Sequence, residues 1–128
     1  MEIHKSFRLD SAHRLPNVPE GHPCGRIHGH SFHIEVHVEG AVGEASGWVM
    51  DFADIEKAFR PLHEQLDHRL LNEVEGLENP TSENIAIWIW QRLSGRLERL
   101  SRIVVAEAPE SICVYAGPDS EGQPHGRG

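Results

Sequence analysis

Two segments within the first forty residues alternate between apolar and polar side chains, which is the pattern of strands that cover a core with one face. Residues 2–13 place their large apolar side chains and one histidine in the same phase: Ile3, Phe7, Leu9 and His13. Residues 28–39 repeat the pattern with two histidines in phase with the apolar set: His28, His30, Phe32, Ile34, Val36 and Val38. The segment between them, residues 14–27, contains Pro and Gly without periodicity and is predicted to be a loop.

The middle of the chain changes to helical spacing, with apolar residues three or four positions apart. In residues 52–71 these positions are Phe52, Ile55, Phe59, Leu62, Leu66 and Leu70. Pro61 falls inside this pattern and predicts a helix that is kinked or in two pieces. The segment Pro80-Thr81-Ser82-Glu83 offers an N-cap and an early acidic residue to a second amphipathic helix. Its apolar stripe contains Ile85, Trp88, Ile89, Leu93, Leu97 and Leu100.

Short segments rich in β-branched and aromatic residues complete the predicted fold. Residues 40–47 predict a turn that leads into a short returning strand at residues 48–51. Residues 103–108 and 111–116 predict a second hairpin, which turns at Pro109-Glu110. The resulting order, β-β-β-α-α-β-β, is an α+β domain in which two helices lie on an antiparallel sheet.

Length and composition limit the class of protein. The 128 residues are enough for one domain, predicted over residues 1–116, and the polar residues 117–128 are predicted to be a disordered tail. A net charge of −8 argues against a nucleic-acid partner, because no basic stripe is present to neutralise phosphates. The two cysteines are too few for a disulfide scaffold, the N-terminus lacks a signal-peptide pattern, and the longest apolar run, residues 85–90, is too short for a membrane span. A soluble cytoplasmic protein is expected.

Three histidines are predicted to point toward the core. His13, His28 and His30 are all in phase with apolar side chains, where three unpaired imidazoles would be costly buried polar groups. A zinc ion bound by three imidazoles removes that cost and keeps a fourth position open for catalysis. The competing interpretation is a set of hydrogen-bonded core histidines without a metal. His33 and His37 fall on the opposite face and are predicted to lie at the surface or in an interface.

Four other side chains are candidates for chemistry because of their positions. Cys24 lies in the loop beside Arg26, where a thiolate close to zinc could abstract a proton; the alternative is an ordinary free cysteine. Glu107 is in phase with the apolar side chains of its strand, so it needs a partner. That partner is either a guanidine-like ligand with a fork of two donors or an arginine. Asp67 and His68 are adjacent, and adjacent residues of a helix do not face each other, so this pair is a weak signal by itself.

Six short segments of the chain form a recognisable set. They are Ser-Ala-His-Arg-Leu at 11–15, Gly-His-Pro-Cys-Gly-Arg-Ile-His-Gly-His-Ser at 21–31, Gly-Trp-Val-Met-Asp-Phe at 47–52, Leu-Asp-His at 66–68, Glu-Asn-Pro-Thr-Ser-Glu at 78–83 and the late Glu107. Together they resemble the 6-pyruvoyltetrahydropterin synthase superfamily over residues 1–116. The Cys-Gly-Arg-x-His-Gly-His spacing resembles its 6-carboxy-5,6,7,8-tetrahydropterin synthase branch, because the animal pyruvoyl enzymes have a longer gap between the cysteine and the histidine pair.

The resemblance implies a fold, an assembly and a reaction. The fold is the tunnelling fold, a four-stranded antiparallel sheet with two helices packed on one side, which assembles into trimeric barrels. Two trimers stack as a homohexamer with active sites at subunit interfaces. The reaction is that of a zinc-dependent lyase of queuosine biosynthesis, which converts 7,8-dihydroneopterin triphosphate to 6-carboxy-5,6,7,8-tetrahydropterin, acetaldehyde and triphosphate. The implied partners are this small molecule and further copies of the chain, with no nucleic acid and no membrane.

The resemblance also implies a role for each candidate side chain. The three inward histidines match the zinc ligands, and Cys24 matches a proton-transferring cysteine. Asp67 and His68 match an acid/base pair, and Glu107 matches the carboxylate that anchors the pterin ring. Two alternatives stay open. One is a sister activity, which forms 6-pyruvoyltetrahydropterin or cleaves the side chain of sepiapterin-like pterins, and the other is a non-catalytic zinc- or pterin-binding protein.

Overall fold

A computed structural model describes residues 1–118, which form four strands, two helices and two short 3-10 turns. The strands are β1 (Glu2–His13), β2 (His28–Glu39), β3 (Leu100–Ala108) and β4 (Ser111–Tyr115). The helices are α1 (Phe52–Leu66) and α2 (Ser82–Leu93), and the 3-10 turns are Pro23–Gly25 and Leu71–Glu73. All neighbouring strands pair antiparallel in the order β1-β2-β3-β4. The predicted antiparallel sheet with two helices is therefore confirmed.

Both helices cover one face of the sheet, which is called the near face here. α1 contacts β1, and α2 contacts β3 and β4. Alternate side chains of the strands are buried beneath the helices: Leu9, Phe32, Ile34, Val36, Val38, Ile103 and Val105. The opposite far face carries polar side chains along β1 and β2. This division follows from the two-residue period of a strand and matches the predicted alternation.

The register of the β1–β2 hairpin determines where the histidines meet. Leu9 pairs with Phe32, which puts the apolar sets of both strands on the near face. The same register pairs His13 with His28 at the end of the hairpin that adjoins the loop of residues 14–27. A shift by one residue would move every one of these side chains to the far face.

Helix α1 is one segment that contains Pro61, but it ends at Leu66 rather than at residue 71. Proline removes one hydrogen bond to the carbonyl of Lys57, and Lys57 is exposed, so water can satisfy that carbonyl. After Leu66 the backbone becomes extended, and Leu70 forms a parallel bridge with Ala12 of β1. The helical spacing of Leu70 is therefore accidental, because a tertiary contact decides its conformation.

The strand predicted at residues 48–51 is wrong, and within residues 1–118 the sheet has four strands. Val49 is buried, but its carbonyl accepts a hydrogen bond from the Arg99 guanidinium instead of from a strand. The predicted helix through Leu100 is also too long, since α2 ends at Leu93 and Leu100 begins β3. Gly95 follows the C-cap of α2, and glycine costs about 1 kcal/mol in a helix relative to alanine.

The two far-face histidines of β2 differ in exposure. His33 lies on the far face and is exposed, as predicted, whereas His37 lies on the same face but is only 8% exposed. Carboxylates and a second histidine cover it.

Of the predicted tail, residues 119–128 lie outside the described residues. No helix in the described part of the chain is long and apolar enough to cross a membrane.

Candidate active site

Three imidazoles converge at the open end of the β1–β2 hairpin, and they are called the near-face triad. His13 and His28 are cross-strand partners, and His30 is the next near-face position of β2. Their ring centroids lie 4.6, 4.9 and 5.1 Å apart. One nitrogen from each ring lies within 4.8 Å of the others. The structure thus brings together the three histidines that the sequence selected.

His13 is held as a neutral imidazole with one nitrogen free. It is 1% exposed, and its Nδ1 lies 2.8 Å from the carbonyl oxygen of Pro80. A carbonyl can only accept, so the ring proton is on Nδ1 and Nε2 carries a lone pair. Burial lowers the pKa of His13, the Pro80 carbonyl raises it, and the charges of His28 and His30 lower it further. The net pKa lies below the ordinary value, which favours the metal-binding form.

The rings of His28 and His30 resemble that of His13 in having an available nitrogen. His28 Nδ1 donates to the carbonyl oxygen of Arg26 at 2.7 Å, which leaves its Nε2 available. The Nε2 atoms of His13 and His30 are both buried without a hydrogen-bond partner among the described residues. A buried unsatisfied polar group costs about 1–3 kcal/mol. A metal cation bound by three nitrogen lone pairs removes this cost, so the residues present fit a metal ion.

A carboxylate from β3 lies next to the triad. The Oε2 atom of Glu107 is 3.9 Å from His30 Nε2, and its Oε1 accepts a 2.7 Å hydrogen bond from the Ser82 hydroxyl. No arginine pairs with Glu107 among residues 1–118. Within residues 1–118 the neighbours of Glu107 are therefore Ser82 and His30. Ser82, the first residue of α2, was missed because its motif was interpreted only as a helix start.

Asp67 and His68 form a hydrogen-bonded pair where α1 ends. His68 Nδ1 lies 2.8 Å from Asp67 Oδ2, and the other carboxylate oxygen accepts from the backbone N–H of Asp10 at 2.9 Å. His68 has φ +58°, an uncommon left-handed conformation for a side chain with Cβ. Partial burial raises the pKa of Asp67, but these two hydrogen bonds and the charge of His68 lower it below the ordinary value. The adjacent residues face each other because the helix has already ended.

Cys24 lies in the 3-10 turn of the loop that joins β1 to β2. Its backbone N–H donates to His22 Nδ1 at 3.0 Å, and its carbonyl accepts from Leu15 N–H at 2.8 Å. These bonds tie the loop to the end of β1, near the triad. No hydrogen bond in residues 1–118 joins the thiol to the triad, and the thiol is free and half-buried.

Two depressions adjoin the candidate residues. One, of about 570 Å³, is bordered by His30 and by His68, whose side chain is 77% exposed. The other, of about 290 Å³, is bordered by Ser82, Glu107 and Cys113. One depression thus adjoins the triad at His30, and the other adjoins Glu107. The triad and Glu107 meet directly, whereas Cys24 and the Asp67–His68 pair lie around them without a direct bond.

Comparisons with known proteins agree with this geometry. The model of the 6-pyruvoyl tetrahydropterin synthase family matches residues 2–118. Over 122 residues the chain is 40% identical to the 6-carboxy-5,6,7,8-tetrahydropterin synthase of Synechocystis sp., which covers 91% of this chain and 93% of that protein. Over 87 residues it is 41% identical to the dihydroneopterin monophosphate aldolase of Pyrococcus furiosus, which covers 66% and 73% respectively.

A solved structure supports the same assignment. The 6-pyruvoyl tetrahydropterin synthase of Caenorhabditis elegans superposes with a TM-score of 0.84 at 27% identity, over 91% of this chain and 95% of that chain. The family match spans all four strands, both helices and every candidate side chain. The chain therefore belongs to the 6-pyruvoyl tetrahydropterin synthase family and has its tunnelling fold.

Proposed function

We propose that this chain is a zinc-dependent lyase that converts 7,8-dihydroneopterin triphosphate to 6-carboxy-5,6,7,8-tetrahydropterin, acetaldehyde and triphosphate, and that it serves queuosine or related 7-deazapurine synthesis. The observation that carries the proposal is the contact between the near-face triad and Glu107, with 3.9 Å between His30 Nε2 and the carboxylate. With zinc on the triad and the pterin ring on Glu107, this contact would bring the metal and the substrate ring together. The near full-length similarity to the Synechocystis sp. enzyme supports this choice of reaction.

His13, His28 and His30 would hold the zinc ion. Bound there, zinc would supply Lewis-acid chemistry to the hydroxyl-bearing side chain of the substrate. The backbone carbonyls of Pro80 and Arg26 keep the rings of His13 and His28 in the tautomer that leaves Nε2 free. The acceptors in these hydrogen bonds are backbone carbonyls, so the positions of the acceptors do not depend on side-chain rotamers.

Glu107 would bind the pterin ring. The 2-amino group and the adjacent ring N–H form a fork of two donors, which a carboxylate accepts with both oxygens. The hydroxyl of Ser82 uses one lone pair of Oε1 and orients the carboxylate, and the remaining lone pairs stay available. The depression bordered by Ser82 and Glu107 would receive the ring.

Cys24 and His68 would move protons on either side of the substrate side chain. Asp67 accepts the Nδ1 proton of His68, so the neutral ring presents Nε2 as the proton acceptor. The His68 side chain is 77% exposed in one chain, which is more open than acid/base chemistry in a water-excluded site requires. A neighbouring copy of the chain would close it.

The surface of the chain supports such an assembly. β1 and β4 are the outer strands of the sheet that residues 1–118 form, and β4 exposes Ile112 and Val114 at 60% and 55%. We infer a homohexamer made of two trimeric barrels, in which the edges pair and the active sites lie between subunits. Sedimentation at micromolar concentration tests this assembly. A stable 14.4 kDa monomer would contradict both the assembly and the shared site.

The deciding experiment is a product analysis. Zinc-loaded protein is incubated with dihydroneopterin triphosphate, and the pterin product and acetaldehyde are identified by mass. 6-Carboxytetrahydropterin with stoichiometric acetaldehyde is expected. 6-Pyruvoyltetrahydropterin without acetaldehyde would identify the sister activity instead. A parallel reaction with the monophosphate ester tests the activity for which the Pyrococcus furiosus relative is named, and Cys24→Ala controls for contaminating enzymes. Binding without any turnover would indicate a pterin-binding protein.

A further inference from the structure

A second cluster of metal-binding side chains lies on the far face of the sheet. His4 of β1 is the direct cross-strand partner of His37 of β2, and their rings stack with centroids 4.3 Å apart. Glu35, two residues before His37, lies on the same face. Its Oε1 is 2.8 Å from His37 Nε2 and 3.8 Å from His4 Nε2. One ligand atom from each residue lies within 4.8 Å of the other two.

His37 supplies an independent sign that the cluster is incomplete. The residue is 8% exposed, and its Nδ1 is buried without a hydrogen bond among the described residues. The nearest carboxylate oxygen, Oε1 of Glu2, is 3.3 Å away but does not have hydrogen-bond geometry. Glu2 is instead fixed by the Ser101 hydroxyl and the Arg102 guanidinium. The buried imidazole therefore faces two carboxylates, Glu35 at Nε2 and Glu2 at Nδ1, and two neighbouring negative charges favour a cation beside it.

The donor types match a borderline divalent ion. Two imidazole nitrogens and one carboxylate oxygen are ligands that zinc and the neighbouring first-row metals prefer. Glu35 has a neighbour that orients it, because its Oε2 accepts from His33 Nε2 at 2.9 Å. A hydrogen-bonded carboxylate of this kind is what supports a metal-ligating side chain in proteins.

We propose that His4, Glu35 and His37 form a second divalent-metal site, on the far face and separate from the near-face triad. It binds zinc more weakly than the triad. His37 must give up its hydrogen bond to Glu35 before both groups can ligate the ion, and His4, with a side chain 44% exposed, must be ordered. The triad has no comparable bond to break.

Metal stoichiometry tests the proposal. Chelator-treated full-length protein is titrated with zinc alone, and bound metal is counted by equilibrium dialysis with elemental analysis. Two equivalents per chain are expected for the parent. His4→Gln and His37→Gln should each bind one, with the tighter phase unchanged. His63→Gln should still bind two, since this histidine bonds only the carbonyl of Arg8 and serves as the matched surface control.

Two controls keep the result decisive. His37 is buried, so the variant could misfold; His4 is partly exposed, and His4→Gln then decides alone, with circular dichroism as the check of folding. His28→Ala should lose the tighter equivalent and keep the weaker one, so failure of the proposed lyase function is distinguishable from failure of this site. A single equivalent in the parent that His28→Ala abolishes, or two equivalents in folded His4→Gln, would overturn the proposal.

Discussion

The two histidine clusters lie on opposite faces of the same strand, and they differ in what accepts their ring protons. In the near-face triad, the acceptors for His13 and His28 are backbone carbonyls. On the far face, the acceptor for His33 and His37 is the carboxylate of Glu35. A carbonyl fixes the neutral imidazole with its second nitrogen free, whereas a carboxylate also stabilises the charged imidazolium. His13 and His28 are therefore held with one nitrogen free, whereas His33 and His37 are tied to a carboxylate.

Ligand spacing alone does not reveal this difference. His28 and His30 stand two residues apart on β2, and so do Glu35 and His37. Each cluster has a buried histidine with an unsatisfied nitrogen, but the near face has a second such nitrogen in His30, whereas the His4 side chain of the far face is 44% exposed. A metal ion bound by the two near-face nitrogens would remove the cost of leaving them unsatisfied, so it would add to the stability of the fold.

Removing a near-face ligand should have the largest effect. We expect His28→Ala and His30→Ala to lose the tight zinc site, with an affinity loss beyond the roughly 10–100-fold typical of losing an outer hydrogen-bond partner. Elemental analysis after gel filtration measures the occupancy. His33→Ala is the matched control, because it removes an exposed histidine of the same strand from the far face. Full occupancy in both near-face variants would mean that the triad does not bind the metal.

Cys24→Ala should separate chemistry from metal binding. Cys24 makes no bond to the triad through its thiol, and three imidazoles already fill a catalytic zinc shell. We expect full zinc content and a fall in turnover of about 10²–10⁴-fold, the usual contribution of a positioned proton-transfer group. Steady-state kinetics and metal analysis are run on the same preparation. Loss of zinc in this variant would point to a structural site with a cysteine ligand.

Glu107→Gln should weaken pterin binding while the metal stays. Glutamine keeps the shape but offers one acceptor and one donor to a fork of two donors, so a loss of about 2–4 kcal/mol in binding is expected. Ser82→Ala removes only the hydroxyl that orients the carboxylate and should cost less, about 0.5–1.5 kcal/mol. Calorimetry with a non-reacting pterin measures both. Unchanged binding with collapsed turnover in Glu107→Gln would make Glu107 an acid/base residue instead.

The sequence predicted the structure correctly where one periodicity determined both the conformation of a segment and the burial of its side chains. The two-residue period of β1 and β2 placed His13, His28 and His30 on one face, and the structure confirms that they meet. The prediction failed where the helical spacing of apolar residues continued past the residue at which the helix ends. Leu70 and Leu100 keep helical spacing, yet one bridges to Ala12 and the other begins β3. The spacing of apolar residues indicates which side chains are buried, but it does not indicate which part of the fold they pack against.

Other features depend on contacts between distant segments and could not be predicted locally. The Pro80 carbonyl meets His13 across 67 residues, and Ser82 meets Glu107 across 25. His37 was predicted to lie at the surface or in an interface because its face is polar, but Glu2, Glu35 and the stacked ring of His4 cover it. Asp67 and His68 can form a hydrogen bond because α1 ends at Leu66, and the apolar spacing of the helix does not indicate that end.

The smallest expected effect lies on the far face and depends on pH. Burial raises the pKa of Glu35, but hydrogen bonds from His37 and His33 and the charges of His4 and His37 lower it below its ordinary value of 4.5. A carboxylate with a depressed folded-state pKa stabilises the fold above its unfolded pKa, and this stability is lost as the pH falls through the folded pKa. The stabilisation is below about 1 kcal/mol, since water partly screens the pair.

Glu35→Gln isolates this contribution in chelator-treated protein, where no metal competes. The difference in free energy of unfolding between parent and variant should be present at about pH 5.5 and should shrink toward about pH 3. Urea denaturation at the two pH values measures it, and Glu39→Gln, an exposed glutamate of the same strand, is the control. A difference that did not change with pH would mean that Glu35 acts through packing, and the two clusters would then not differ in their response to protons.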